Sequence, residues 1–229
     1  MVIFDAGKTL VNYLDVDMLR GIHAYMNYAT ENPGKLTAED IRGEDIAIFG
    51  QFEQCRKQLF EVPVQNILQL LFDRLGLKFS IPVDEIERLI WENDAKIVPV
   101  KGASELLEYL NGEGIRTAVI SNLDFSGYLL EDRLNQLYPN NRFEFVIASS
   151  DYGIRKPHRY LFEVGITRSG LKPEEIWYVG DKVKVDVDGS QSCGMVPVLY
   201  KSEYNRYDEI PSDLLCVDNY DCLIDFLNS

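Results

Sequence analysis

The sequence predicts an α/β fold, a Rossmann-like parallel sheet core carrying an inserted all-helical cap domain. Three observations carry this expectation. Short, continuously apolar runs recur along the chain and stop abruptly at polar residues, as strands covered on both faces do. Segments with helical apolar spacing separate those runs, which is the alternation of βαβ units. One long stretch, residues 14–98, breaks the alternation and reads as helix, so 1–13 and 99–229 are assigned to the core and 14–98 to the cap.

The first run is Met1–Phe4, ended by Asp5 and a polar loop. Thr117–Ile120 ends at Ser121-Asn122, Phe145–Ala148 at Ser149-Ser150-Asp151, and Ile176–Val179 at Gly180-Asp181. Val196–Tyr200 and Leu214–Val217 are two further strands. Between them, Lys101–Glu113 sets Ala103, Leu106, Leu107 and Leu110 on one helical face, and Leu129–Leu137 and Arg159–Thr167 behave alike. Asn219–Leu227 is the last helix. In the cap, Leu14–Asn32, Ala38–Val62, Val64–Leu75 and Val83–Lys96 read as helices. Pro33-Gly34, Pro63 and the stretch from Gly76 to Pro82 break them, and Asp84 favours the start of the last. A helical insertion directly after the first polar loop is placed to act as a lid beside it.

Composition excludes several classes. There are 23 Lys+Arg against 37 Asp+Glu, a net charge of −14 with no basic run, so nucleic acid is not an expected partner. No apolar stretch approaches the roughly 18 residues that span a bilayer, so no membrane is expected. No charged segment with an apolar run opens the sequence as an export signal would. Cys55, Cys193, Cys216 and Cys222 form no CxxC pair, and the histidines are His23 and His158 alone. Scattered soft ligands do not make a zinc site, and four reduced thiols fit a cytoplasmic protein.

In a parallel sheet, ligands collect at the carboxyl ends of the strands. Asp5 stands at such an end with Thr9 four residues on. Ser121-Asn122, Lys156-Pro157 and Gly180-Asp181 with Asp186 follow the other strands. A carboxylate, hydroxyls, a lysine and two further carboxylates at one sheet edge suit phosphoryl transfer. Carboxylates ionise near 3.9, so their attack on a phosphate is opposed by repulsion unless cations intervene. Lys156 is one cation; Asp5 and Asp181 together could hold Mg²⁺. Donors from Thr9, Ser121 and Asn122 would bind phosphoryl oxygens while Asp5 attacks as nucleophile.

The ordered set Phe4-Asp5-Ala-Gly-Lys-Thr9-Leu10, Ile120-Ser121-Asn122, Arg155-Lys156-Pro157 and Val179-Gly-Asp181 through Asp186 to Gly189 resembles the haloacid dehalogenase superfamily. All four motifs occur in order, across almost the whole chain. The cap resembles the type 1 cap of the group that contains phosphoglycolate phosphatase, β-phosphoglucomutase and the dehalogenases. The resemblance implies Asp5 as nucleophile, Ser121 and Lys156 as phosphate holders, Asp181 as a Mg²⁺ ligand supported by Asp186, and the backbone carbonyl of Gly7 as a further ligand.

One position departs from the pattern. The phosphatases carry a second aspartate, the general acid and base, two residues after the nucleophile; here Gly7 stands there. Such a group contributes about 10²–10⁴-fold, so esters with poor leaving groups should suffer most. Lys8 is read as a solvated or loop-bracing residue with a lesser claim on phosphate. The expected function is a Mg²⁺-dependent phosphohydrolase of a small phosphorylated metabolite. Two alternatives stand beside it. One is carbon–phosphorus or carbon–halogen hydrolysis, with Lys35 and Lys57 as candidate cap lysines. The other is a catalytically weak phosphate-binding regulator. His23 and His158 are expected outside the chemistry, and Asp124 and Asp188 as solvated or capping residues. Tyr13, Tyr25, Tyr28, Phe49, Phe52 and Phe60 are expected as cap core, part of it facing the cleft. Residues 202–213 are expected as a surface loop. Oligomeric state is not legible in the sequence.

Overall fold

The structure, a computed structural model, describes residues 1–202 and 210–228. In chain order the elements are β1 (Val2–Phe4), β2 (Val11–Leu14), α1 (Met18–Met26), β3 (Ala29–Glu31), α2 (Ala38–Gln51), α3 (Glu53–Lys57), α4 (Val64–Leu75), β4 (Lys78–Phe79), α5 (Val83–Asn93) and β5 (Lys96–Pro99). There follow α6 (Ala103–Gly112), β6 (Thr117–Ser121), α7 (Gly127–Leu137), β7 (Phe143–Ala148), α8 (Arg159–Ser169), β8 (Trp177–Gly180), α9 (Asp188–Ser192), β9 (Val196–Tyr200), β10 (Leu215–Val217) and α10 (Tyr220–Leu227).

Six strands make one parallel sheet in the order β10-β9-β8-β1-β6-β7. Because successive side chains on a strand point to opposite faces, Val2 and Phe4 enter the core shared with α6, α7 and α10. Ile3 enters the core shared with α8. All three are buried, which is why β1 is apolar throughout and not alternating. β1 pairs with β6 on one side and β8 on the other, Phe4 standing opposite both Val119 and Val179. The chain therefore reverses its winding at the end of β1, and Asp5 sits at that switch point.

The insertion has its own apolar core, in which Ile22, Ile41, Ile67, Leu71, Ile86 and Ile90 meet. Tyr25, Phe72 and Phe79 stack edge-on and tilted within it, with centroids 4.6–5.6 Å apart. It is helical but not all-helical. The helix expected over 14–32 spans only Met18–Met26, because Val11–Leu14 pairs antiparallel with Lys96–Pro99 and Asp17 caps the helix by accepting from the Leu19 N–H. The pattern over 38–62 likewise stops at Gln51, followed by the short α3 and a left-handed Leu59. β3 and β4 form a second small ribbon. Of the aromatic residues expected in the cap core, Tyr25 is buried, whereas Tyr28, Phe49 and Phe60 are exposed. Tyr13 lies on β2 and packs against the sheet core instead.

Two buried carboxylates tie the insertion over the strand ends. Glu87 of α5 accepts from the Ser126 N–H at 2.7 Å, the Ser126 hydroxyl at 2.8 Å and Gln65 Nε2 at 2.6 Å. Glu61 accepts from the Ser149 hydroxyl at 2.8 Å and faces Arg56 and Arg155 at 3.3 and 3.5 Å. Backbone bonds from Glu61 N to Gly153 O and from Arg155 N to Leu59 O reinforce the seam. Of the expected surface loop 202–213, residues 203–209 lie outside the described residues.

The contact of α1 with α5 carries a charge at a cost. Gly21 lets the two elements meet: a Cβ there would fall 2.5 Å from Asp94 Oδ1. That oxygen accepts the Gly21 N–H at 2.9 Å. Burial pushes the Asp94 carboxyl up to about 6. Unfolded, it titrates near 3.9, so between those values the folded chain holds more protons and stability falls as pH rises. Asn keeps the acceptor without the charge. Asp94→Asn should therefore add about 1 kcal/mol at pH 7.5, allowing for solvent screening, and raise the melting temperature by ~2–4 °C. At pH 4 the melts of the two proteins should coincide.

Candidate active site

At the switch point, one buried lysine gathers the chemistry. Lys156 Nζ donates to Asp5 Oδ1, Asp186 Oδ1 and the Tyr178 hydroxyl, each at 2.7 Å. The Tyr178 hydroxyl in turn donates a hydrogen bond to the Ile120 carbonyl at 2.9 Å. Asn122 fastens the lysine loop: its Oδ1 accepts from Lys156 N at 2.7 Å and its Nδ2 donates to Lys156 O at 3.0 Å. Asp186 reaches the lysine because Gly180 leaves room, a Cβ at that position falling 2.5 Å from the Asp186 side chain. The other Asp186 oxygen accepts the Lys182 N–H at 3.0 Å.

One carboxyl oxygen each of Asp5, Asp181 and Asp186 lies within 4.8 Å of the other two, and all three residues are buried. Burial raises the Asp5 carboxyl, with Lys156 opposing that rise. Burial and the nearby Asp5 push Asp181 up to about 6, and the Ser202 hydroxyl donates to it at 2.8 Å. Burial works against charge on Lys156, but Asp186 and Asp5 outweigh it and hold the ammonium well above its usual range. Three buried carboxylates around one lysine leave negative charge in excess. An all-oxygen donor set of this kind fits a hard divalent cation such as Mg²⁺.

A cavity of about 190 Å³ opens over this cluster, lined by Asp5, Gly7, Ser121, Asn122, Lys156 and Asp186, and also by Lys8, Tyr13 and Lys182. Of the residues singled out in the sequence, the structure thus gathers Asp5, Gly7, Ser121, Asn122, Lys156, Asp181 and Asp186 in one place. Thr9 is not among them: it does not line the cavity, its hydroxyl is buried without a hydrogen-bond partner, and its carbonyl accepts from Tyr220. The turn that projects Asp5 turns Thr9 into the core. Asn122 lines the cavity with its amide already engaged in holding Lys156, so it positions the lysine first. Lys8 takes a left-handed conformation, φ 62°, closing the turn through its N–H to Val11 O.

Lys35 and Lys57 do not reach the cavity; Lys35 is exposed and Lys57 pairs with Glu53 on its own helix. His158 caps α8 by accepting the Tyr160 N–H, Asp124 pairs with Arg56, and Asp188 is exposed. Four contributors escaped the sequence reading. Tyr178 looks like any strand aromatic, Ser202 stands far along the chain, Lys182 is hidden inside a recognised motif, and Tyr13 was grouped with the cap. Only Lys182, next to Asp181, carried a local signal.

A sequence profile of the haloacid dehalogenase-like hydrolases matches residues 2–199. The chain belongs to this family. Among curated relatives, the hydrolase is 28% identical over 184 residues to the glyceraldehyde 3-phosphate phosphatase of Methanocaldococcus jannaschii, covering 72% of this chain and 79% of that one. It is 32% identical over 111 residues to the Pyrococcus furiosus protein of the same name, a match spanning 48% of this chain and less than half, 45%, of that relative. Its fold is also that of a 2-haloacid dehalogenase from Pseudomonas syringae, with a TM-score of 0.65 at 19% identity over 99% of this chain and 97% of the other. No helix among the hydrolase's described residues is long and apolar enough to cross a membrane.

Proposed function

We propose that this hydrolase is a Mg²⁺-dependent phosphatase of a small phosphorylated metabolite, working through a phosphorylated Asp5. The observation that carries the reading is the convergence of Asp5, Lys156 and Asp186 on one small cavity at the sheet's switch point, with a carboxyl oxygen of Asp181 within 4.8 Å of those of Asp5 and Asp186. The names of the relatives, phosphatases of a triose phosphate, support the substrate class. Assignment of residues 14–98 as the cap and of the rest as the catalytic core belongs to the same reading. Four unpaired cysteines support a reducing, cytoplasmic setting.

Mg²⁺, held by Asp5, Asp181, Asp186 and the Gly7 carbonyl, would supply positive charge to the phosphoryl oxygens. Lys156 and the Ser121 hydroxyl bind the remaining oxygens. Asp5 attacks phosphorus as the ester oxygen leaves, and water then hydrolyses the aspartyl-phosphate. Glu61 and Glu87 hold the insertion against the core, which limits bulk water and large substrates. Exposed or distant cap lysines speak against a Schiff-base phosphonate reaction. Three buried carboxylates would have no use in a metal-free haloacid reaction.

Purified protein assayed with glyceraldehyde 3-phosphate, acetyl phosphate and p-nitrophenyl phosphate should release phosphate with Mg²⁺ and lose at least about 100-fold in EDTA. Turnover of a 2-haloacid that is indifferent to EDTA would overturn the reading. Binding of phosphate without turnover of any ester would favour the regulator.

A further inference from the structure

We propose that the phenol of Tyr13 supplies the leaving-group proton that Gly7 cannot, making Tyr13 a catalytic residue of this site. The inference rests on the phosphatase reading and concerns only how that reaction finds its acid. A Cβ built on Gly7 would have Tyr13 Cε2 as its nearest neighbour, at 3.7 Å. The aromatic ring thus stands beside the space into which a side chain from position 7 would grow. It also lines the same cavity as Asp5, Ser121 and Lys156.

Its hydroxyl is available. No hydrogen bond or ion pair engages the Tyr13 side chain among the described residues, whereas Tyr178, the other tyrosine at the cluster, is committed to Lys156 and the Ile120 carbonyl. The ring is held rather than loose. β2 pairs with β5, Tyr13 opposite Ile97, and the ring packs against the apolar core of the sheet. A proton donor fixed on a strand needs no ordering at the moment of reaction.

Rival donors are few. Besides Asp5, the only carboxylate lining the cavity among the described residues is Asp186, and its oxygens are taken by Lys156 and the Lys182 N–H. Neither histidine lines the cavity. Lys8 and Lys182 do line it, so the test includes a lysine arm.

In the first step the Asp5 oxygen forms a bond to phosphorus and the bond from phosphorus to the ester oxygen breaks. The departing alkoxide takes the bonding pair and then the phenolic proton, giving alcohol and tyrosinate. In the second step water attacks the aspartyl-phosphate, tyrosinate takes a proton from that water, and phosphate leaves with the Asp5 carboxylate restored. The sum is ester plus water giving alcohol plus phosphate.

The test reads the first step alone, as the single-turnover burst, enzyme in excess over ester, of alcohol from glycerol 3-phosphate and of nitrophenolate from p-nitrophenyl phosphate. Nitrophenolate leaves without a proton, so only the alkyl ester needs the acid. Tyr13→Phe keeps the ring and should slow the alkyl burst about 100-fold while the aryl burst stays within about threefold. Adding Gly7→Asp to Tyr13→Phe should restore much of the alkyl burst, since the carboxyl enters beside the site of the lost hydroxyl. Equal loss with both esters, or no loss with either, overturns the assignment. So does a selective alkyl loss in Lys8→Met or Lys182→Met with Tyr13→Phe unaffected. Absence of any release of glycerol, nitrophenolate or phosphate by the unaltered protein with Mg²⁺ overturns the phosphatase reading and this inference together. A burst abolished by Asp5→Asn but indifferent to Tyr13→Phe overturns only the inference.

Discussion

Asp5→Asn is expected to abolish turnover of every phosphate ester, by at least about 10⁴-fold, without lowering stability. An amide is a poor nucleophile, and removing a nucleophile from a site that works as a unit removes nearly all of the catalysis. Stability should hold because the side chain keeps its size. Lys156 retains Asp186 at 2.7 Å, and the buried cluster sheds one of its excess negative charges. Phosphate release and intact-protein mass after acid quenching check this result. The unaltered protein should trap a phosphoryl adduct at residue 5, and the variant none. An adduct that persists in Asp5→Asn would place the nucleophile elsewhere.

Lys156→Met should be the most destabilising single substitution at the site. Methionine preserves most of the stem but removes a buried ammonium that makes three hydrogen bonds of 2.7 Å. Asp5 and Asp186 are then left facing one another, buried, with Asp181 nearby. Breaking a buried pair by removing one partner costs about 3–5 kcal/mol. For a chain of this size that lowers the melting temperature by roughly 10 °C. Because a divalent cation replaces part of the lost charge, added Mg²⁺ should recover more stability in the variant than in the unaltered protein. Thermal melts with Mg²⁺ and with EDTA measure both effects. A melting temperature unchanged without Mg²⁺ would mean that the carboxylates do not depend on this lysine for neutralisation.

Much of the fold was legible because its signals are local. A strand covered on both faces must be apolar throughout, so β1, β6 and β8 stand out as runs cut short by Asp5, Ser121 and Asp181. Their polar ends fall at one sheet edge because parallel strands run the same way. Helix limits in the insertion were less legible. The stretch around Leu14 has helical spacing yet pairs as a strand, since the chain must leave and re-enter the core through adjacent segments and the partner, Lys96–Pro99, lies some eighty residues away. Tertiary pairing overrides local propensity in such cases.

The same distinction governs the site. Residue type and order along the chain determined that a carboxylate, a lysine and two further carboxylates would meet: Asp5 and Asp181 directly follow β1 and β8, and Lys156 and Asp186 lie in the connections that leave the same edge after β7 and β8. They also determined that position 7 lacks an acid. Only the tertiary structure decided that Thr9 turns inward, that Asn122 is occupied with the lysine loop, that Tyr178 and Ser202 brace the charges, and that the Tyr13 ring stands beside Gly7. These facts depend on the direction a side chain takes from its backbone and on neighbours far away in sequence. Such contacts are set by packing, which no local pattern of residues encodes.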